Sequence, residues 1–242
     1  MELRFRHDRW VKIEIAPPAR NLQLHPLSRR VMHWINAVAI IVMIGSGWRI
    51  YDSNPFPELP IHIGFPLNWM LGGYFPIDEA ANNDDGLATA LLWHFAAMWV
   101  LVVNFIAYVT VGFLSGHFRR DFLPLSAAAL TRDFFAALRG RLSHRLGEYN
   151  AVQKVFYWGV LAAILITILS GLSIWKPVQL QWLTALFGGY TSGRVVHFFG
   201  MAAIVAFLVV HLALTALVPK TLVAMILGRV SETPHLGHGE VP

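Results

Sequence analysis

The chain has 242 residues, 56% of them hydrophobic and 14% charged, where a soluble domain carries about a quarter charged residues. Its mean hydropathy is +0.53 and its pI 9.8. With several apolar stretches of membrane-spanning length, these proportions exclude a soluble enzyme, a disordered chain and a coiled coil. The net charge of +5 then reads as basic loops at a membrane rather than as a nucleic-acid surface.

The first thirty residues are charged and lack an apolar core, so they do not read as a removable signal peptide. A first span follows from about Val31 to Ile50, and serves as its own insertion signal. The second runs from about Leu87 to Leu114, the third from about Val152 to Trp175, and the fourth from about Arg194 to Val218, closed by Pro219. Each is near or above the roughly 20 residues that cross the hydrocarbon as a helix. The long loop after span one and the shorter loop Lys176–Gly193 are both apolar. They suit aromatic packing at the headgroups or docking of an extramembrane partner. Between spans two and three, Leu130, Phe134, Ala137 and Leu138 recur at helical spacing, which predicts an amphipathic helix on the membrane surface. The tail from Ser231 reads as mobile.

Lysine and arginine set the expected orientation. Seven lie before span one, seven between spans two and three, and two after span four; the opposite side holds only Arg49, Lys176 and Arg194. Both termini should therefore be cytoplasmic. The expected organisation is a cytoplasmic segment 1–30, a four-helix transmembrane domain 31–218 and a cytoplasmic tail 219–242. The fold class is all-α, an integral membrane four-helix bundle.

There is no cysteine, which excludes disulfides, thiolate metal sites, iron–sulfur clusters and covalently attached haem. Of 11 histidines, seven fall in loops or tails: His7, His25, His62, His117, His144, His235 and His238. They are assigned no role. Four fall inside spans: His33, His94, His197 and His211. Ionisable residues in hydrocarbon are costly and usually functional. A single one is explained by a hydrogen bond to a carbonyl; four at matching depths are not. His94 and His197 fall in the outer halves of their spans, His33 and His211 in the inner halves. His197 and His211 are 14 residues apart, within about 40° of a whole number of turns, so both leave one face of span four, ~21 Å apart along it. Gly200 lies near that face. Small residues there, and Gly45, Ser46, Gly47, Ser170 and Gly171 elsewhere, would let a planar cofactor approach, although they also pack membrane helices.

Two histidines per layer in a cysteine-free bundle suit two haem b groups, each with both axial positions filled by imidazole and so restricted to electron transfer. Arg30 and Arg194 each precede a ligand candidate by three residues. They are candidates for pairing with haem propionates or for snorkelling at helix ends.

The stretches HPLSRRVMHWINAVAIIVMIGSGW, LLWHFAAMWVLVVNFIAYV, YNAVQKVFYW and RVVHFFGMAAIVAFLVVHLAL resemble the cytochrome b561 family in its bacterial, Ni,Fe-hydrogenase-type branch. That branch includes cytochrome b subunits of hydrogenases, formate dehydrogenases, and thiosulfate reductase or other molybdoenzyme systems. The resemblance implies a di-haem electron-transfer subunit ligated by His33, His94, His197 and His211. It implies electron exchange between a partner redox subunit and the quinone pool, with quinone reduction or quinol oxidation at the inner haem, near Asn150, Gln153 and Lys154. Polar residues at a helix start are also ordinary caps. His197 is followed by Phe198, where the hydrogenase cytochromes often pair histidines. With the proline-rich outer loop, this favours a periplasmic molybdopterin oxidoreductase over a hydrogenase as partner. The expected location is the bacterial inner membrane, with lipid and quinone as further partners and no nucleic acid.

Two other functions compete. A stand-alone cytochrome b would oxidise a small molecule such as superoxide. A histidine-based metal or proton transporter would normally carry intramembrane acids, and the span interiors hold no Asp or Glu. An inert anchor would leave the four histidines unexplained.

Overall fold

The computed structural model describes residues 2–6, 9–13, 20–23, 26–53, 56, 87–123, 125–139 and 149–232. Four long helices dominate it: α1 (Leu27–Ser53), α2 (Leu87–Leu114), α4 (Ala151–Trp175) and α6 (Tyr190–Leu217). α1 begins and ends about one turn beyond the stretch read from hydropathy. α6 begins one turn earlier. All four are long and apolar enough to cross a membrane, and at most 28% of the most apolar window of any of them is buried within the chain. The remaining apolar surface, including Trp99, Val103, Ile106, Phe199 and Val209, is exposed. Such a surface needs lipid rather than water. The protein is an integral membrane four-helix bundle.

Local chemistry fixes where the helices stop. Asn150 and Gln153 form a reciprocal capping box at the start of α4, at 2.9 and 3.1 Å. Pro177 follows the end of α4 and cannot continue it. Val218, kept out of the helical conformation by the proline that follows it, separates α6 from the short α7 (Pro219–Leu227), which has proline in its first turn. Gly228 closes α7 in the left-handed conformation, φ 78°, with its N–H on the Ala224 carbonyl.

The bundle lies in the unit Val31–Leu217. Within it α4 and α6 pack together along their length, and no other pair of spans comes so close. Its centre is an apolar cluster of Phe105, Ile164 and Ile204, with Ile40, Val109, Val160, Leu161, Ala163 and Ile168 around it. Ile204 lies midway between His197 and His211 in sequence, so this cluster separates two levels of the bundle. Buried hydroxyls on the spans bond back to their own helix: Thr167 to the Ala163 carbonyl and Ser173 to that of Ser170. Beyond α2, Gly116 turns the chain at φ 67° into a single π-helical turn, Phe118–Phe122. Then comes α3 (Ala127–Leu138), in the stretch read as an amphipathic helix, with Phe134 and Phe135 exposed. The loop before α6 holds the short α5 (Gln181–Leu186), with Leu183 buried and Trp182 exposed.

The second unit joins residues 1–30 and 218–242. Among its described residues, β1 (Glu2–Arg6) pairs antiparallel with β2 (Arg9–Ile13), and β3 (Arg20–Gln23) with β4 (Arg229–Glu232). The tail residues 231 and 232, read as mobile, lie in β4. Arg30 donates to the carbonyls of Met225 and Ile226 at the end of α7. Most of the loop after span one, residues 57–86, lies outside the described residues.

Candidate functional site

The four intramembrane histidines come together as two pairs. His94 of α2 faces His197 of α6, with ring centroids 6.2 Å apart and planes at 68°. His33 of α1 faces His211 of α6, at 6.1 Å and 59°. α6 supplies one member of each pair, and the other comes from α2 at one level and α1 at the other. These are the two layers that helix depth predicts.

The spacing has chemical meaning. A metal–imidazole bond is about 2.0–2.1 Å, and the ring centre lies about 1 Å beyond the nitrogen, so two imidazoles on opposite sides of one iron have centroids about 6 Å apart. Both pairs fit that separation. Direct hydrogen bonding between two rings would bring them closer.

The hydrogen bonds of the His94–His197 pair define which nitrogen can ligate. The Ser46 hydroxyl donates its one proton to the Val42 carbonyl at 2.6 Å. Its oxygen, 3.0 Å from His94 Nδ1, must therefore accept from that nitrogen. His197 Nδ1 lies 2.9 Å from the Thr167 carbonyl and 3.3 Å from Ser170 Oγ. A carbonyl only accepts, so this nitrogen also carries a proton. In both rings Nε2 keeps its lone pair. Metal-bound histidines typically donate their other nitrogen in this way.

Small residues make this arrangement possible. A Cβ on Gly47 would sit 3.2 Å from His94 Cε1, and one on Gly171 only 2.9 Å from His197 Cε1. The same Ser-Gly dipeptide thus occurs at 46–47 on α1 and at 170–171 on α4, and each braces one ligand candidate carried by a different helix. Ser46, Gly47, Ser170 and Gly171, read from sequence as room for a planar cofactor or as helix packing, contact imidazole. Gly200 takes the packing role. A Cβ there would collide with the Thr167 side chain, so Gly200 serves the close contact of α6 with α4. The repeated Ser-Gly pair was the available signal for the bracing role.

At the other level, His211 stacks nearly parallel on Phe207, centroids 5.6 Å apart, and Trp34 meets His33 edge-on at 5.5 Å. Asn104, buried in α2, reaches Asn36 and the Met32 carbonyl of α1. Attention to intramembrane Asp and Glu missed this amide.

Arg194 lies over the Phe56 ring, 5.1 Å from its centroid, beside a group formed by Trp48, Tyr51 and Phe198. Asn150 and Gln153 spend their amide oxygens on the capping box, which directs both side-chain NH2 groups elsewhere. Lys154 is half-buried on the same first turn. His117, read as a loop residue without a role, is buried and paired with Asp121. It sits among Phe118 and Phe122, which meet Trp158 and Tyr157 of α4. Burial alone would raise the Asp121 carboxyl, but the bonds and charges of Arg120 and His117 outweigh it and hold the group below its usual range.

Residues 24–228 match the family model described as prokaryotic cytochrome b561. The chain is 46% identical over 206 residues, 85% of its length and 96% of the relative's, to a putative protein-methionine-sulfoxide reductase subunit, YedZ1, of Azospira oryzae. It is 24% identical over 76% of its length, and 73% of the relative's, to a probable Ni/Fe-hydrogenase B-type cytochrome subunit of Bradyrhizobium diazoefficiens. A shorter stretch, 36% of this chain and 39% of the relative, is 26% identical to the cytochrome b556(Fdn) subunit of the nitrate-inducible formate dehydrogenase of Escherichia coli.

Proposed function

The chain belongs to the prokaryotic cytochrome b561 family and is a membrane b-type cytochrome electron-transfer subunit, and from that premise we propose that it holds two haem b groups and links the quinone pool to a periplasmic oxidoreductase. The single observation that carries the proposal is the pair of imidazole spacings, 6.2 and 6.1 Å, at two levels of one bundle.

Haem b supplies one-electron transfer. His94 and His197 would hold one haem, and His33 and His211 the other. With two imidazoles for each iron, such a group would be restricted to passing electrons. Ser46, Ser170 and the Thr167 carbonyl keep Nε2 of the first pair unprotonated and aimed inward. The Phe105, Ile164 and Ile204 cluster keeps water from the space between the levels. Arg194, near the start of α6, would pair with a propionate of the haem held by His94 and His197.

The quinone is assigned to the start of α4. There the NH2 groups of Asn150 and Gln153 and the Lys154 ammonium can donate to a quinone carbonyl. The basic loops put this end and both termini in the bacterial cytoplasm, and the His94–His197 level towards the periplasm. The resemblance to a subunit of a putative protein-methionine-sulfoxide reductase supports a reductase as the partner. In this reading the chain would pass electrons between quinol and that enzyme, of molybdopterin type. A hydrogenase partner is the second reading, favoured by relatives named as hydrogenase cytochromes.

The test is a dithionite-reduced minus oxidised spectrum of the purified chain, with haem quantified per polypeptide. Two low-spin b-type haems are expected. A haem-free chain from cells supplied with haem would overturn the reading. Reduction by a quinol analogue, lost on Lys154→Ala with both haems retained, tests the quinone assignment.

A further inference from the structure

The His94–His197 level has a feature that ligation alone does not require. Both rings donate Nδ1–H to oxygen within a buried, apolar part of the bundle, and each bond involves a serine from a helix that carries no ligand for that level. Ser46 and Ser170 are completely buried. Each has its own proton committed to its own helix, Ser46 to Val42 and Ser170 to Ile166 at 2.7 Å. Each oxygen is therefore fixed as an acceptor and cannot rotate to become a donor. At the other level His211 rests on the Phe207 ring.

An imidazole that donates Nδ1–H to a fixed acceptor gains electron density at Nε2, and so becomes a stronger donor to a metal. Stronger axial donation stabilises ferric over ferrous iron and lowers the potential. In an apolar interior such bonds are not diluted by water. We propose that Ser46 and Ser170 are positioning residues that lower the potential of the iron held by His94 and His197. The proposal rests on the haem reading above and adds to it a specific tuning device, the duplicated Ser-Gly pair. Each glycine admits the imidazole edge close to the helix, and each serine fixes the proton on Nδ1.

The test is a spectroelectrochemical titration of the full chain, comparing the parent with Ser46→Ala, Ser170→Ala and the double variant. One midpoint should rise and the other stay fixed. The double variant should move furthest, by up to about tenfold in the ferrous-to-ferric ratio at fixed potential, or about 59 mV for one electron. Ser170→Ala should move least, since the Thr167 carbonyl still accepts from His197. The haem that moves should be the one lost in His94→Ala. In resonance Raman spectra its iron–imidazole stretch should fall, which a merely structural role would not produce. If the double variant fails to hold haem, Ser46→Cys, a weaker acceptor of similar size, is titrated instead. Unchanged midpoints, a lowered midpoint, or equal movement of both haems would overturn the proposal while leaving the two-haem reading intact. A haem-free parent would remove that reading and this proposal together.

Discussion

Asn104 of α2 donates its side-chain amide to Asn36 Oδ1 and to the Met32 carbonyl of α1, at 2.6 and 2.8 Å. Met32 precedes His33 and Asn36 follows it by three residues, so one buried amide ties α1 to α2 at the level of a ligand candidate. α1 and α2 also meet at the other level, where Ser46 and Gly47 lie against His94. Asn104→Leu leaves Asn36 without this donor in an apolar interior, at a cost of about 1–3 kcal/mol. The variant should lose the His33–His211 haem in preference to the other, as read by pyridine haemochrome assay and the reduced spectrum. Equal loss of both haems would show that the clamp is general rather than local.

Ligand variants should fall into two classes. His33→Ala and His211→Ala should each remove one haem, and the same one. His94→Ala and His197→Ala should each remove the other. Redox titration of the four variants decides this. If His94→Ala and His211→Ala removed the same haem, the pairing found here would be wrong.

The two bracing glycines should tolerate alanine unequally. The tighter contact is at Gly171, where the new methyl meets His197 Cε1 at 2.9 Å, against 3.2 Å between Gly47 and His94. Overpacking of a filled interior costs about 1–3 kcal/mol. Gly171→Ala should lower occupancy of the His94–His197 haem more than Gly47→Ala. Haem content per polypeptide after identical purification measures both.

Gly200 faces Thr167 across the contact between α4 and α6. Gly200→Ala forces those helices apart and displaces the Thr167 carbonyl that holds His197. It should lower the unfolding temperature in detergent, with a loss of roughly 1–3 kcal/mol. Restoring space with Gly200→Ala/Thr167→Ala should recover part of it. No recovery would place the strain elsewhere.

Acid should act through the contact between α3 and the start of α4. Asp133 Oδ2 accepts from the Ala151 backbone N–H at 3.0 Å and Oδ1 from Arg132 at 3.1 Å. The Ala151 bond, with help from Arg132 and against a small effect of burial, holds the carboxyl below its usual range. A carboxyl depressed on folding stabilises the fold above its unfolded pKa of about 3.9, and that contribution disappears as pH falls through the lower folded value. Asp133→Asn should therefore unfold at a slightly lower temperature than the parent at neutral pH, the effect being modest because the group is near the surface. The gap should close in acid. Parallel melting curves at neutral and acid pH would expose a gap that does not change.

The sequence by itself determined the spans, the helical membrane bundle, and the sorting of four histidines into two levels, but not the short strand pairs near the termini. Those features follow from local hydropathy and from the fixed rise and turn of a helix, which place His197 and His211 on one face whatever surrounds them. Tertiary structure decided what touches the ligand candidates. Ser46 is 48 residues from His94, Ser170 is 27 from His197, and Asn36 is 68 from Asn104. Whether such pairs meet depends on how far each helix is rotated and shifted against its neighbour, and helical periodicity within one span carries no record of that. The same limit hid the contact of Gly200 with Thr167, and moved His117 from a loop without a role to a buried partner of Asp121. Side chains become neighbours across helices only when packing has fixed the helix offsets.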